Sequence, residues 1–76
     1  MPSKKSSANR ALARVIRSTR ERRGYSQEGF ARHVGMDRSY FGAIERGEFN
    51  VSLDTLVKIA RGLGTTGGAL CSKAKV

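Results

Sequence analysis

Groups that could do covalent or acid–base chemistry are few in this chain, and they stand apart. His33 is the one histidine and Cys71 the one cysteine among 76 residues. With no second histidine, no cysteine neighbour and no paired carboxylate, His33 offers neither a metal site nor a catalytic dyad, and it reads as an exposed helix residue. Cys71 cannot close an internal disulfide and reads as a small apolar side chain near the C-terminus, in keeping with a reducing compartment. The six acids are scattered, with none paired for proton transfer. Glycines fall where helices would end, not in a phosphate-cradling loop after a strand. No catalytic residues, cofactor, metal or small-molecule ligand are expected.

Positive charge, by contrast, is plentiful. Fifteen Lys/Arg against six Asp/Glu give a formal charge of +9 and a pI near 10.9. Residues 1–38 hold ten of the basic side chains against three acids, so the field is concentrated on the first half. A surface of this kind attracts phosphate from a distance. Arginine adds geometry to charge, since its fork can take guanine O6 and N7 with two hydrogen bonds.

The elements that must position these side chains are helices. Residues 1–7 are polar and basic and read as a loose arm. From Ala8, the residues Ala11, Leu12, Val15, Ile16 and Thr19 repeat at helical spacing, and Gly24 can stop that helix. Ser26 caps a second helix carrying Phe30, Ala31 and Val34, ended by Gly35. Asp37 caps a third with Phe41 and Ile44 inward, ended by Gly47. Ser52 caps a fourth with Leu53, Leu56, Val57, Ile59, Ala60 and Leu63, ended by Gly64. A short fifth helix is expected around Ala69, Leu70 and Cys71, weakened by Gly67 and Gly68 at about 1 kcal/mol each relative to Ala. No stretch alternates long enough for a strand, no signal peptide is expected, and nothing approaches a membrane span. The expectation is an all-α domain of four to five helices over residues 8–72, with an arm at 1–7 and a short basic tail at 73–76.

Two short helices meet at Gly35 within Ser26–Glu45. Ala31, four positions earlier, is small enough for them to cross closely, and apolar residues at 30, 34, 41 and 44 lock the pair to the core. This is the wiring of a helix-turn-helix, whose second helix enters the major groove. Arg38 and Ser39 then stand in the first turn of that helix, where side chains face base edges. One turn on, Gly42 and Ala43 cannot hydrogen-bond a base, though Ala43 can touch a thymine methyl, so DNA shape would supply the rest of the readout.

From Leu12 to Leu70 the chain resembles the Cro/repressor-like helix-turn-helix regulators of the XRE family. The resemblance rests on Ile16-Arg17, Arg20, Ser26-Gln27-Glu28, Phe30-Ala31, Gly35, Ile44-Glu45-Arg46-Gly47 and the run from Ser52-Leu53 through Leu56 and Ile59-Ala60 to Leu63. Asp37-Arg38-Ser39-Tyr40, Glu45-Arg46-Gly47 and Asn50-Val51-Ser52-Leu53 are most similar to the controller proteins of restriction–modification systems. The resemblance implies a lambda-repressor-like fold and double-stranded DNA as partner, bound as a homodimer at a palindromic operator. It implies that Gln27 reaches a phosphate and that Arg20 pairs structurally with Glu45. Arg46 and Asn50 fall in the loop after the recognition helix, a common place for backbone contacts, although Arg46 at a helix C-terminus also complements the dipole. Tyr40 reads two ways, its ring packing or its hydroxyl meeting a phosphate. The chain departs from the family pattern at Gly29, where an acid is common, at Phe49, where a polar or basic residue is common, and at Gly67-Gly68. Helix four carries more apolar residues than one small domain needs, which marks Leu63 and Leu70 as expected dimer-interface residues. A cytoplasmic, nucleoid-associated place follows. Alternatives are a phage- or plasmid-type repressor, an antitoxin, or a coactivator-like module binding nucleic acid generally.

Overall fold

The computed structural model describes residues 6–48 and 50–76. Five helices follow one another: α1 (Ser7–Arg22), α2 (Gln27–Val34), α3 (Arg38–Glu45), α4 (Leu53–Gly62) and α5 (Gly67–Ala74). Among the described residues there is no strand. Most of the expected arm, at residues 1–5, and Phe49, a departure from the family pattern, lie outside the described residues.

Each helix begins on a side-chain oxygen that takes a backbone N–H lacking a partner in the first turn. Ser26 accepts from Gly29, Asp37 from Tyr40 and Ser52 from Thr55, at 2.9, 3.2 and 3.2 Å. Two further caps were not expected. Ser6 accepts from Asn9 at 3.1 Å, so α1 starts at Ser7 and the expected arm loses its last two residues to the helix and its cap. Thr66 accepts from Ala69 at 3.0 Å, which starts α5 at the glycine pair itself. The glycines therefore occupy the first turn rather than breaking the helix. Gly67 also fits there sterically, because an added Cβ would stand 3.3 Å from Leu56 Cγ.

The buried stripe of α1 runs through Asn9, Leu12, Ala13, Ile16, Thr19 and Arg20, while Ala11 and Val15 flank it half-buried. α1 packs on α3 and α5, α2 on α3 and α4, and α4 on α5. Ile16, Phe30, Phe41, Ile44, Ile59, Leu63 and Leu70 fill the centre. Phe30 and Phe41 join α2 to α3 with ring centroids 5.1 Å apart, and Tyr25 meets Phe30 edge-on at 5.3 Å. Such pairs add to the free energy of burial itself.

Two small residues let the helices approach. Gly35 reverses the chain between α2 and α3 with φ +71°, a conformation that a side chain rarely adopts. Gly62, at the end of α4, lies against α2. A Cβ there would overlap Val34 Cγ1 and stand 3.1 Å from Phe30 Cζ.

This packing corrects the expectation for Leu63 and Leu70. They are 1 % and 2 % exposed within the single chain, and so are not surplus apolar surface awaiting a partner. The reason is α5. By folding back across α1 and α4 it closes the core over Leu63 and carries Leu70 into it on its own inner face, at roughly 1.5–3 kcal/mol for each fully buried side chain. Of the apolar residues attributed to helix four, Leu53 stays open to solvent and Val57 half-covered.

Candidate nucleic-acid interface

α3 presents its first turn outward and holds its last turn inward. Arg38, Ser39 and Tyr40 are exposed, whereas Phe41, Gly42, Ile44 and Glu45 are buried. The cap at Asp37 fixes where the turn starts, and Phe41 and Ile44 fix its rotation. Arg38 makes no hydrogen bond or ion pair with the described residues, so its guanidinium is available to an outside acceptor. Ala43 is half-buried one turn later.

The far end of α3 is tied down by a buried polar network. Arg20 on α1 donates to Glu45 through Nε at 2.7 Å and Nη2 at 3.0 Å. The two side chains are 8 % and 2 % exposed. Arg20 Nη1 donates to the Tyr25 carbonyl at 2.8 Å, fixing the α1–α2 turn as well. The hydrogen bond to Glu45 raises the Arg20 pKa against the opposing effect of burial, so the guanidinium stays charged. A fork meeting a carboxylate edge-on supplies both strength and direction.

Gln27 completes this network. Its Nε2 donates to Glu45 Oε1 at 3.0 Å, an interaction that no helical spacing would reveal. Its Oε1 faces Gly42, where an added Cβ would stand 3.2 Å away. Gln27 thus braces α3 from the start of α2, with one amide hydrogen left outside the network.

The segment after α3 carries the other expected contacts. Arg46 is exposed and tied to Glu48, Nε to Oε2 at 2.6 Å and Nη2 to Oε1 at 3.5 Å. That hydrogen bond raises the Arg46 pKa. Asn50 is exposed, and its Oδ1 accepts from Ser6 Oγ at 3.3 Å. Asn9, absent from the sequence reading, anchors the same segment: its buried Oδ1 accepts from the Val51 amide at 3.2 Å. Its signal was its place on the stripe with Leu12, Ala13 and Ile16. The structure therefore gathers Gln27, Arg38, Ser39, Tyr40, Ala43, Arg46 and Asn50 onto α3 and its two flanks, with Arg20 and Glu45 beneath. Leu63 and Leu70 stand apart in the core.

His33 stacks on the Tyr25 ring at 5.1 Å on the outer side of α2. Among the described residues no three His, Cys, Asp or Glu side chains gather to hold a metal, and no helix is long and apolar enough to cross a membrane.

Residues 11–71 match the model of a family described as a helix-turn-helix domain. The chain is 49% identical over 47 residues to the control protein C.MunI of a Mycoplasma species, covering 62% of this chain and 64% of that one. It is 44% identical over 55 residues to the control protein C.SmaI of Serratia marcescens, covering 72% and 66%. A hypothetical transcription factor of Neisseria meningitidis matches at 43% over 53 residues, covering 70% and 50%. The chain thus spans between half and just under two thirds of the length of these relatives. Among solved structures, the restriction–modification controller protein C.AhdI of Aeromonas hydrophila superposes with a TM-score of 0.80 at 37% identity, covering 86% of this chain and 98% of that one. The clp gene regulator ClgR of Corynebacterium glutamicum superposes with a TM-score of 0.85 at 24% identity, covering 93% and 76%, which is a likeness of fold.

Proposed function

The chain belongs to the helix-turn-helix domain family, and from that premise we propose that it is a sequence-specific DNA-binding transcriptional regulator of the restriction–modification controller type. The observation that carries this reading is the construction of α3. Its first turn projects Arg38, Ser39 and Tyr40 into solvent, while a buried Arg20–Glu45–Gln27 network holds its last turn rigid. A reading helix needs both features, because discrimination between bases depends on side chains held in fixed register.

In this reading Arg38 takes a guanine edge, Ser39 a base or a phosphate, and Ala43 a thymine methyl. Gln27, the Tyr40 hydroxyl, Arg46 and Asn50 meet the DNA backbone. The charge of +9 draws the duplex in and makes binding depend on salt. The protein acts in the cytoplasm as a homodimer, placing two α3 helices in successive major grooves about 34 Å apart on a palindromic site. The dimer surface lies outside Leu63 and Leu70, since both are spent on the core. The similarity to control proteins C.MunI and C.SmaI and to the controller C.AhdI supports the narrower assignment over a phage repressor or an antitoxin.

Selection of bound duplexes from a random pool is the test. The expected result is one motif, symmetric about its centre, with half-sites one helical turn apart. Recovery of sequences no different from the starting pool would instead indicate a general nucleic-acid-binding module.

A further inference from the structure

We propose that the hollow between the end of α1 and the first half of α5 is a binding site for a small oxyanion of the phosphate class. The site stands apart from α3 and is independent of what α3 reads. Thr19, Arg22 and Arg23 of α1, Thr65 of the α4–α5 turn, and Ala69 and Lys73 of α5 line a pocket of about 70 Å³. That is room for a few water molecules, and so for one tetrahedral anion. Three of the lining side chains are cations, and no carboxylate lines the pocket.

Little in the protein answers these charges. Arg23 and Lys73 make no hydrogen bond or ion pair with the described residues through their side chains, and Arg22 reaches Thr19 Oγ1 at a long 3.5 Å. The Thr19 hydroxyl donates to the Val15 carbonyl at 2.7 Å, which leaves its oxygen to accept from Arg22. Glu21, the acid beside them in sequence, is turned away, its Oε2 lying 3.4 Å from Arg17 Nε and 3.9 Å from Arg20 Nη2. Arg23 caps the end of α1, its amide donating to the Thr19 and Arg20 carbonyls at 3.0 and 3.1 Å. Its Nη1 lies over the α4–α5 turn, 3.0 Å from where a Gly64 Cβ would stand. Thr65 is fixed by its amide, which donates to the Ala60 carbonyl at 2.9 Å, and its hydroxyl has no partner among the described residues. Cations gathered in this way repel one another, and an anion among them reverses the sign of that interaction. Guanidinium, ammonium and hydroxyl groups are the donors that phosphate oxygens accept.

The face of α1 separates this site from the DNA side. Residues of a helix turn by about 100° each, so Arg20, which meets Glu45 of α3, points about 100° away from Thr19 and about 160° away from Arg22. The pocket therefore lies on the α5 side of α1, where a duplex against α3 leaves it open. An anion held there ties α1 and the α4–α5 turn to the helix that closes the core. Sequence reading led to no small ligand because Lys73 meets Arg22 and Arg23 only when α5 folds back on α1.

The test uses the whole chain and inorganic phosphate, with ionic strength held constant by sodium chloride. Amide resonances of Thr65, Ala69 and Lys73 are expected to shift saturably as phosphate rises. At ten times the half-saturating concentration the folded state is favoured about tenfold, which raises the thermal midpoint by about 6–11 °C. The double variant Arg23→Gln, Lys73→Gln loses the saturable response, and it is no less stable than the parent in chloride because a repulsion has been removed. Lys58→Gln, which removes an exposed charge from α4, keeps the response. A general salting effect of phosphate would instead rise without saturation and persist in the double variant. A nucleoside monophosphate run in parallel separates two sources of the same chemistry: tighter binding than phosphate marks an ester as the ligand, and equal or weaker binding marks the free anion. No saturable shift, shifts confined to Gln27 and Arg38 on the DNA side, or an equal response in the double variant would each overturn the proposal.

Discussion

Glu45→Ala strips the acceptor from a buried cation, and the cost can be worked from the contacts. Arg20 loses its bonds from Nε and Nη2, and Gln27 loses its bond from Nε2. With an Arg20 side chain only 8 % exposed, water cannot fully replace the carboxylate. Removing one partner of a buried ion pair typically costs about 3–5 kcal/mol. Two contacts argue for the low end here. Arg20 Nη1 keeps the Tyr25 carbonyl at 2.8 Å, and Glu21 Oε2 lies 3.9 Å from Nη2, near enough to offset part of the charge. A loss of about 3 kcal/mol is large for 76 residues, whose whole stability is about 4–11 kcal/mol at the usual value per residue. At about 4–8 °C per kcal/mol for a domain of this size, the thermal midpoint falls by roughly 12–24 °C. Far-UV circular dichroism on heating reads this directly. The raised Arg20 pKa sets the pH dependence, because a group whose pKa rises on folding stabilises the fold below its unfolded value and loses that contribution only as pH climbs through the folded one. For an arginine that window lies beyond ordinary alkaline pH, so the deficit of Glu45→Ala is expected to be the same from neutral to mildly alkaline buffer. The double variant Arg20→Met, Glu45→Leu recovers part of the loss, since apolar replacement of both partners leaves no buried charge. A Glu45→Ala midpoint within two or three degrees of the parent (about half a kcal/mol) would show that the buried pair does not hold the fold.

Other expectations concern single contacts. Gln27→Ala forfeits one hydrogen bond to Glu45 and costs about 1 kcal/mol in denaturant unfolding; on DNA it weakens binding about equally across sequences, and a change confined to one base position would contradict a backbone role. Gly62→Ala gains up to about 1 kcal/mol of helix propensity but drives a methyl into Val34 and the fully buried Phe30. The overlap outweighs the propensity, at about 1–3 kcal/mol, so a raised urea midpoint would contradict the packing. Asn9→Ala frees the Val51 amide and costs about 1 kcal/mol, while amide hydrogen exchange at Val51 speeds up; unchanged exchange there would contradict the anchor. Sedimentation equilibrium is expected to show a dimer at tens of micromolar, and a chain that is monomeric alone yet paired on a full palindrome would mean that DNA assembles it.

Local chemistry was the most legible part of this chain. Ser26, Asp37 and Ser52 act over three residues, so their capping bonds follow from sequence spacing without knowledge of the rest of the fold. Gly35 belongs to the same class, because its turn needs a backbone conformation available to few residues. Longer-range outcomes were less visible. Gly67 and Gly68 argued against α5, but Thr66 supplies a cap, and packing on Leu56 outweighs the propensity deficit. Leu63 and Leu70 read as surplus in sequence because nothing local shows that α5 folds back across α1 and α4. The bond between Gln27 and Glu45 spans 18 residues and depends on how α2 and α3 cross. The Arg46–Glu48 pair has a spacing of two, which matches no helical rule and arises only because Gly47 turns the chain.

If the outward first turn of α3 reads base pairs, Arg38 is the side chain that does so. The measurement is the affinity of the parent and of Arg38→Ala for a panel of duplexes in which each position of the selected site is changed singly, by fluorescence anisotropy at fixed salt. The parent is expected to discriminate at one position of each half-site by about 1–3 kcal/mol. Arg38→Ala binds the parent site more weakly and loses that preference, while discrimination elsewhere is kept. A variant that binds more weakly yet ranks the whole panel as the parent does would place Arg38 on the backbone and not at a base edge.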